Sequence, residues 1–435
     1  MRIIRSILWL TAAGLIFFGI SWAIYAPRSD IRGTWVTDGY GYHVDIGRTF
    51  IDLYEVTAIS CHRSQRIPAH QWLVAALEDV QFSRQGEQLR ISAGGTLDPI
   101  LADRTTGLPA YCPQAPDMPG TARDNFDVLW QAMQERYAFF DLHGVDWQAR
   151  RDQFRPAEDA TLSDEALLDL FKSTLDGLDD GHLYVKTNDG TLYSPSIRPD
   201  WHGDRHMVRD NTLAQFSELT AVSDTGLLYG WAAPDIGYVY MTHMAADGGF
   251  GVKAADVAQD GFAEIATVFA EAKGIILDLR YNPGGSDDIA LAYAGYFTDR
   301  AVPGFTKSTR TDTGYTAPFE VMLEPAGTAY LDQPVVLLTT GFTASAAEIF
   351  TMLMRTLPQV TVIGTPTTGA FSDVGNFTLP NGWELGLSHQ RYLDAEGTQF
   401  EKTGIAPDIV VAADVEAARG GTDTILDAAL AHLDK

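Results

Sequence analysis

The sequence predicts an α/β fold in the C-terminal half of the chain, preceded by a helical region and a β-rich N-terminal domain. Unbroken apolar runs at 274–280, 334–340 and 360–364 are typical of strands buried in a parallel sheet. A helical apolar pattern at 345–357 separates the last two runs, and this strand–helix–strand order predicts a crossover unit. Short alternating runs between residues 30 and 118 predict strands joined by turns.

The composition excludes several classes of protein. The chain has 435 residues, 46% of them hydrophobic, so it is not wholly disordered. Its 57 acidic and 31 basic side chains give a net charge of −26. Nucleic acid is therefore not an expected partner, because phosphate binding needs clustered Lys and Arg. Two cysteines are too few for a disulfide scaffold or a cysteine-rich zinc module.

The first 26 residues predict export. Arg2 and Arg5 form a basic start, and 21 uncharged residues follow from Ser6 to Ala26. Two interpretations stay open, a membrane anchor and a signal peptide cut after Ala23. Either one predicts an extracytoplasmic protein, periplasmic or secreted, and the anchor would attach it to the inner membrane by residues 6–26.

Export permits one disulfide in the β-rich domain, assigned to residues 30–118. Cys61 and Cys112 are the only cysteines, and we predict that they form a bridge. The alternative is two reduced, partly buried thiols. A Pro-rich stretch at 108–120 predicts a linker after this domain.

Residues 121–185 are predicted to be helical. One amphipathic stripe has the helical spacing i, i+3, i+4, i+7, i+11. Its members are Phe126, Leu129, Trp130, Met133 and Tyr137. A second helix is predicted to begin after Ser163 as its N-cap and to end at the turn 178–182. The polar segment 186–235 predicts an irregular connection, and 236–435 predicts the α/β core.

Three motifs follow predicted strands or helices and could meet at one site. DLRYNPGG, at 278–285, ends a buried strand in two glycines, which let the backbone turn sharply and expose its N–H groups. TTGFTASAAEIF, at 339–350, places Ser345 where a helix begins, as in a nucleophile elbow without the GxSxG string. DDGH presents His182 on a tight turn.

These motifs resemble the tail-specific, or C-terminal processing, serine peptidases. The strings DGH, DLRxNPGG, Thr-Ala-Ser-Ala-Ala-Glu and E-x-x-G-I-x-P-D occur in that order, over residues 122–185 and 235–412. The tricorn protease core and the retinoid-binding repeats share this arrangement. The resemblance implies an α/β core of crotonase/ClpP-like type with an N-terminal helical cap, and a peptide or protein substrate.

The resemblance also favours one of two catalytic styles. The processing peptidases use a Ser–Lys dyad, but the matching lysine position here is Ala370, and the first lysine after Ser345 is Lys402. The tricorn-like style uses a histidine on the DGH turn and a late glutamate, which are present as His182 and Glu401. We therefore predict a serine endopeptidase with the triad Ser345, His182 and Glu401.

The predicted roles follow from the chemistry of acyl transfer. Ser345 attacks a carbonyl carbon to form an acyl-enzyme, His182 is the general base, and Glu401 orients the imidazole. Backbone N–H groups of Ala346 and of Gly284 or Gly285 form the oxyanion hole. No cofactor is predicted.

Several alternatives to these assignments stay open. His389 is the competing base. Glu348, one turn after Ser345, is expected to satisfy backbone groups, and Asp278 and Arg280 are expected to form a structural pair. His202 and His206, in HGDRH, have the i, i+4 spacing of zinc ligands, but Gly203 favours a loop, so we predict no metal site.

Two other functions stay open, an esterase or amidase with the same triad and a non-catalytic binding protein on the same scaffold. Too few residues separate His182 from the strand near Ile236 for a PDZ module, so we predict none. For a peptidase, the charge of −26 predicts a preference for basic or neutral peptides.

Overall fold

The computed structural model describes residues 25–71, 74–75, 80–112, 120–249, 251–327 and 329–435. Residues 1–24, which hold almost all of the predicted export segment, lie outside this range. The chain forms two compact units, one of Met1–Gly94 with Asp98–Asp117 and one of Gly95–Leu97 with Met118–Lys435. Within the described ranges, no helix is both long enough and apolar enough to cross a membrane.

The first unit is an antiparallel sheet. In its described part, seven strands run in the order β4-β3-β2-β1-β7-β6-β5. They are β1 (Gly33–Thr37), β2 (Tyr42–Ile46), β3 (Phe50–Val56), β4 (Cys61–Pro68), β5 (Val80–Gln85), β6 (Gln88–Ala93) and β7 (Ile100–Thr105). Trp35 is fully buried in the core of the sheet. The structure joins Cys61, at the start of β4, to Cys112 in the predicted disulfide, with Cα atoms 5.0 Å apart.

The described helices belong to the second unit and include those that the sequence predicts. They are α1 (Ala122–Arg136), α2 (Phe140–His143), α3 (Trp147–Phe154), α4 (Asp164–Leu175), α5 (Arg205–Leu213), α6 (Ala254–Val268), α7 (Asp287–Ala294), α8 (Ala346–Met354), α9 (Val415–Arg419) and α10 (Thr424–Leu433). Ser163 caps α4 as predicted, because its side chain accepts a hydrogen bond from Ala166 N at 3.3 Å. The predicted stripe of α1 is buried in one cluster with the apolar face of α4.

A mostly parallel sheet forms the core of this unit. In the described residues its order is β10-β11-β12-β13-β17-β18-β22. These strands are β10 (Thr220–Ala221), β11 (Thr225–Ala233), β12 (Ile236–Ala246), β13 (Gly274–Asp278), β17 (Val335–Thr339), β18 (Val360–Gly364) and β22 (Ile409–Val410). The five strands from β12 to β22 are parallel, and α8 connects β17 to β18, so the predicted crossover unit is confirmed.

The second unit also contains two smaller sheets. One contains β14 (Val302–Thr311), β15 (Gly314–Tyr315), β16 (Phe319–Leu323) and β21 (Gln390–Asp394). The other contains β8 (Tyr184–Lys186), β9 (Leu192–Tyr193), β19 (Val374–Thr378) and β20 (Glu384–Ser388). Because β8 begins two residues after His182 and pairs with β20, the DGH turn is held against the C-terminal part of the chain.

The connection at 186–235 is more regular than its sequence predicts. It contains α5 and β11, and HGDRH forms a short 3₁₀ helix at His202–Asp204 that leads directly into α5 rather than a loop. The sequence signal for a helix is weak here because this segment has few apolar residues and α5 buries only Val208 and Thr212.

A buried ion network fixes the end of β13 just before the NPGG turn. The Arg280 guanidinium donates to both oxygens of Asp278, at 2.9 and 2.6 Å, and to Asp423, the N-cap of α10, at 2.8 Å. All three side chains are at most 6% exposed. The expected structural pair is therefore confirmed. Removing one partner of such a network typically costs about 3–5 kcal/mol, because it leaves a buried charge uncompensated.

Candidate active site

Ser345 sits on a strained turn between β17 and α8. Its φ of 56° and ψ of −130° lie in a region that non-glycine residues rarely adopt. Such a conformation costs about 1–3 kcal/mol and persists only where the surroundings impose it. The side chain is partly exposed while the next residues of α8 are buried. This is the geometry of a nucleophile elbow, which aims a hydroxyl away from the sheet.

Glu348 holds this turn in place. Its fully buried carboxylate accepts hydrogen bonds from Ser345 N at 3.1 Å, Gly369 N at 2.6 Å and Ala370 N at 2.8 Å. It also accepts from the hydroxyl of Thr367 at 2.6 Å. Burial raises the pKa of Glu348 to about 7, although these donors pull it down. Glu348 therefore satisfies backbone groups, as expected, and joins the first turn of α8 to residues 367–370.

Of the two glycines after β13, Gly284 packs directly against Ser345 and Gly285 packs against Met244. A Cβ at Gly284 would lie 2.5 Å from Ser345 Cβ, and one at Gly285 would collide with Met244 O, so neither position has room for a side chain. Gly284 N donates to Asn282 Oδ1 at 2.9 Å. Among the described residues, the N–H groups of Gly285 and Ala346 have no hydrogen-bond acceptor. Of the two glycine donors predicted from sequence, Gly285 is therefore the one left available.

His182 is brought to the same place by the DGH turn. A Cβ at Gly181 would lie 2.7 Å from Ala370 Cβ, and Ala370 O accepts a hydrogen bond from Ser345 N at 3.0 Å. Ala370, at the position of the dyad lysine, is only 2% exposed, so a longer side chain there would meet this turn. Contacts of Ala370 thus connect the turn at Ser345 to the turn at His182.

Asp180 fixes the shape of the DGH turn. It accepts hydrogen bonds from His182 N at 2.8 Å, Ser388 Oγ at 2.8 Å and Tyr137 OH at 2.9 Å. Asp180 is 3% exposed, so these bonds replace its lost contact with water. Its partners come from α1, the DGH turn and β20, which makes Asp180 the junction of three segments that are distant in sequence.

The imidazole of His182 is partly buried among charged groups. Burial lowers its pKa below the ordinary value of 6.5, while the negative charges of Asp180 and Asp373 act in the opposite direction. Its Nδ1 is buried and has no hydrogen-bond partner in the described part of the chain. Likewise, none of the described hydrogen bonds joins its ring to Ser345 or Glu401.

Asp373 is itself paired with a lysine. Lys307, only 1% exposed on β14, donates to Asp373 Oδ2 at 3.0 Å. Burial alone would raise the pKa of Asp373, but Lys307 and the two nearby histidines, His389 and His182, hold it below its ordinary value. Asp373 thus remains ionised next to His182.

Glu401 lies near this cluster but has other partners. Its 4% exposed carboxylate accepts hydrogen bonds from Phe371 N at 3.0 Å and Ser372 N at 3.2 Å. Burial, together with the charges of Asp180 and Glu348, raises the pKa of Glu401 well above its ordinary value. The role predicted for Glu401, orienting His182, therefore stays a prediction that no direct contact supports.

A cavity of about 390 Å³ opens beside Ser345. It is lined by His182, by Ala344 and Ala370, which lie next to Ser345, and by Tyr281 and Phe342. His389, the competing base, does not line this cavity; it is 3% exposed, between β20 and β21. The geometry therefore favours His182 over His389 as the group that reaches a bound molecule.

Metal binding finds no support in the described residues. No group of three or more His, Cys, Asp or Glu side chains there has the arrangement of a metal site. The ring of His202 lies 3.4 Å from Arg205 Nη1, and this cation opposes the binding of another at that ring.

Sequence reasoning missed part of this site. Asp180 lies within the DDGH motif, but the motif alone predicts no role for it. Lys307 and Asp373 carried no signal, because they lie on separate segments that meet only in the folded chain. Arg198 and Arg205, which also line the cavity, come from the segment predicted to be irregular.

Comparisons with known proteins agree on one family. The model of peptidase family S41 matches residues 235–411, and that of the tricorn protease C1 domain matches residues 120–176. The carboxy-terminal-processing protease of Bartonella bacilliformis is 32% identical over 141 residues, which are 32% of this chain and 31% of that protein. The corresponding protein of Synechocystis is 30% identical over the same share of each chain. The match thus spans about a third of the length of these curated relatives.

Solved structures extend the similarity over more of the chain. A candidate peptidase from Parabacteroides merdae is 30% identical, with a TM-score of 0.61, and the alignment covers 72% of this chain and 96% of that one. Mature CPAF is similar in fold alone, at 14% identity and a TM-score of 0.51, over 72% of this chain and 96% of its own.

Proposed function

This chain belongs to peptidase family S41, and from that membership and the geometry of the site we propose that it is a serine endopeptidase acting through Ser345. The observation that carries the proposal is the strained backbone of Ser345, with φ of 56°, beside the N–H groups of Gly285 and Ala346, which have no acceptor in the described part of the chain. A merely structural serine at a helix N-cap needs neither feature.

The proposed reaction proceeds through an acyl-enzyme. Ser345 Oγ attacks the carbonyl carbon of the peptide bond while His182 takes the hydroxyl proton. The N–H groups of Gly285 and Ala346 donate to the oxyanion, and each such donor is worth about 100–1000-fold in rate. His182 then gives the proton to the leaving amine, and water, activated by the same imidazole, hydrolyses the acyl-enzyme.

In the proposed site, the negative charge next to His182 comes from Asp180 and Asp373 rather than from a single triad acid. Asp180 and Asp373 supply the negative charge that stabilises the imidazolium of His182 when it forms. Glu401, the predicted orienting acid, holds the backbone of Phe371 and Ser372 through its two accepted hydrogen bonds. In this proposal its effect on His182 is exerted through that backbone.

We also propose the finer features of the architecture and location. The parallel sheet with its crossover helix α8 supports a core of crotonase/ClpP-like type, and α1–α4 support a helical cap. The basic start and apolar run of residues 1–26, with the disulfide between Cys61 and Cys112, support export to an extracytoplasmic compartment.

A fluorophosphonate probe tests the nucleophile. We expect covalent labelling of the intact protein and none of the Ser345→Ala variant; equal labelling of both would remove Ser345 from the mechanism. Turnover of a mixed peptide pool and of simple esters then separates the remaining functions. Turnover of esters alone would indicate an esterase, and the absence of both labelling and turnover would indicate a binding protein on this scaffold.

A further inference from the structure

The cavity beside Ser345 has a local charge opposite to that of the whole chain. Its lining includes three arginines, Arg198, Arg205 and Arg209, and no aspartate or glutamate. The chain as a whole carries 57 acidic and 31 basic side chains. A lining without carboxylates therefore differs from the average surface of this acidic chain, and it concentrates positive charge in the cavity that His182 also lines.

Two of these arginines have no carboxylate of their own. Arg205 donates from Nη1 to the carbonyl oxygen of His202 at 2.8 Å, and neither it nor the exposed Arg198 forms an ion pair with any described residue. Arg209 differs, because its guanidinium pairs with Asp210 at 2.7 Å. Arg198 and Arg205 thus face the cavity with uncompensated charge.

The segment that carries these arginines is fixed to the core. Beside Arg198, Pro199 packs so closely on Gly341 that a Cβ there would lie 2.8 Å from Pro199 Cγ. Trp201 makes an edge contact with Phe342, with ring centroids 4.8 Å apart. The guanidinium groups of Arg198 and Arg205 therefore extend from a segment that is packed against the core.

The α5 helix is anchored in the same way at its far end. Thr212 donates to Asp423, the carboxylate that also binds Arg280, at 2.6 Å. Asn211 donates to the carbonyl oxygen of Ala418 at 2.7 Å. Arg205, the first residue of this helix, is thus held in place relative to the end of β13 and the turn that follows it.

We infer that Arg198 and Arg205 form a subsite for a carboxylate of the peptide substrate, close to the bond that Ser345 attacks. The inference rests on the proposed peptidase function. A guanidinium binds a carboxylate through paired, charge-assisted hydrogen bonds, and two unpaired guanidinium groups leave such bonds unmade until a ligand arrives. The carboxylate is an Asp or Glu side chain of the peptide.

This assignment reverses the substrate preference expected from total charge. A net charge of −26 acts at long range and is screened by salt, whereas the arginines act at contact inside a cavity. Contact interactions decide which peptide is held at the site, so an anionic group is favoured there even though the whole molecule repels it weakly.

Matched peptides test the subsite. Glu and its neutral isostere Gln are scanned through each position of a quenched, alanine-rich peptide, and each peptide is made with a free and with an amidated C-terminus. We expect Glu at one position to raise kcat/KM about tenfold or more over Gln at that position. Dependence on the free C-terminus alone, with Glu and Gln cleaved equally, would overturn the inference.

Variants connect the preference to the two arginines. The Arg198→Gln/Arg205→Gln double variant should lose the preference, with kcat/KM for the charged peptide falling to that for the neutral one. Arg300→Gln removes the same kind of charge from an exposed position and should keep it. A wild-type enzyme that cleaves charged and neutral peptides equally, or a double variant that keeps the preference, would overturn the inference.

Binding to the inactive protein separates this inference from the proposed function. Ser345→Ala protein should bind the preferred peptide more tightly than its neutral counterpart by anisotropy, and the triple variant with both arginines changed should not. If the wild type is labelled by fluorophosphonate and cleaves peptides without charge preference, only the subsite is wrong. If it is neither labelled nor active, the proposed function fails and the inference with it.

Discussion

The ammonium group of Lys307 lies 3.0 Å from Oδ2 of Asp373, and Asp373 is one of two carboxylates whose charge acts on His182. A buried lysine thus belongs to the site although Ala370 occupies the position of a dyad lysine. The buried ammonium of Lys307 is compensated by the carboxylate of Asp373. Its effect on His182 passes through the charge of Asp373.

Asp373→Asn should move the acid limb of the kcat/KM profile to lower pH. The negative charge of Asp373 raises the pKa of His182, so its loss lets the imidazole deprotonate at lower pH. The same charge stabilises the imidazolium in the transition state, so kcat should fall about tenfold.

Glu401→Gln is the matched comparison, because Glu401 is not among the charges that act on the pKa of His182. Its acid limb should therefore stay where the wild type has it. If Glu401→Gln moves the limb and Asp373→Asn does not, Glu401 is the orienting acid, as the sequence predicts.

The parts of the fold that follow from local patterns were predictable from the sequence. The strands β13, β17 and β18 lie within the apolar runs that predict them, and Ser163 caps α4 because short hydroxyl side chains suit that position. In these cases the residues that form the pattern are the same residues that form the element.

The surroundings of the proposed catalytic residues were not predictable in the same way. Lys307 on β14 and Asp373 before β19 become neighbours only when separate segments pack together. The helix α5 was missed because its exposed face is polar and only two of its residues are buried. Charge at a site depends on such long-range packing, which composition and periodicity do not encode.

His182 should set an acid limb centred below pH 6.5. Burial lowers its pKa from that ordinary value, and the base acts only when neutral, so kcat/KM should rise with pH through a midpoint lower than 6.5. His182→Ala should remove about 100–10,000-fold of the activity. His389→Ala should keep the limb, because His389 lies outside the cavity. Loss of the limb in the His389 variant alone would make that residue the base.

Asp287 should make the free energy of unfolding depend on pH. Burial raises its pKa from 3.8 to about 7, with the charge of Asp373 acting in the same direction. A raised pKa in the folded state means that the stabilising contribution is complete below pH 3.8 and is lost as pH rises through about 7. The loss amounts to about 4 kcal/mol at most.

Denaturant titrations of Asp287→Asn check this expectation, because the amide mimics the neutral acid and should remove that part of the pH dependence. Tyr392→Phe is the informative control. The hydroxyl of Tyr392 donates to Asp287 at 2.9 Å and lowers its pKa, so its removal should shift the transition to higher pH. An Asn variant with the wild-type pH dependence would contradict the assignment to Asp287.

Glu348→Ala should slow the reaction of Ser345 by removing a contact to its backbone N–H. The variant removes the acceptor of Gly369 N and Ala370 N and one of the two acceptors of Ser345 N, so the strained turn loses contacts that hold its φ of 56°. We expect fluorophosphonate labelling to slow by about 10–100-fold, since misplacement of a reacting group by about 1 Å has effects of that size.

Thr351→Val is the matched control. It removes a hydrogen bond one turn later in α8, from the hydroxyl to Ala347 O at 2.8 Å, and should label at the wild-type rate. If Glu348→Ala is folded by circular dichroism and labels as fast as the wild type, the backbone of Ser345 is held by other contacts and the strain is not a condition of its reactivity.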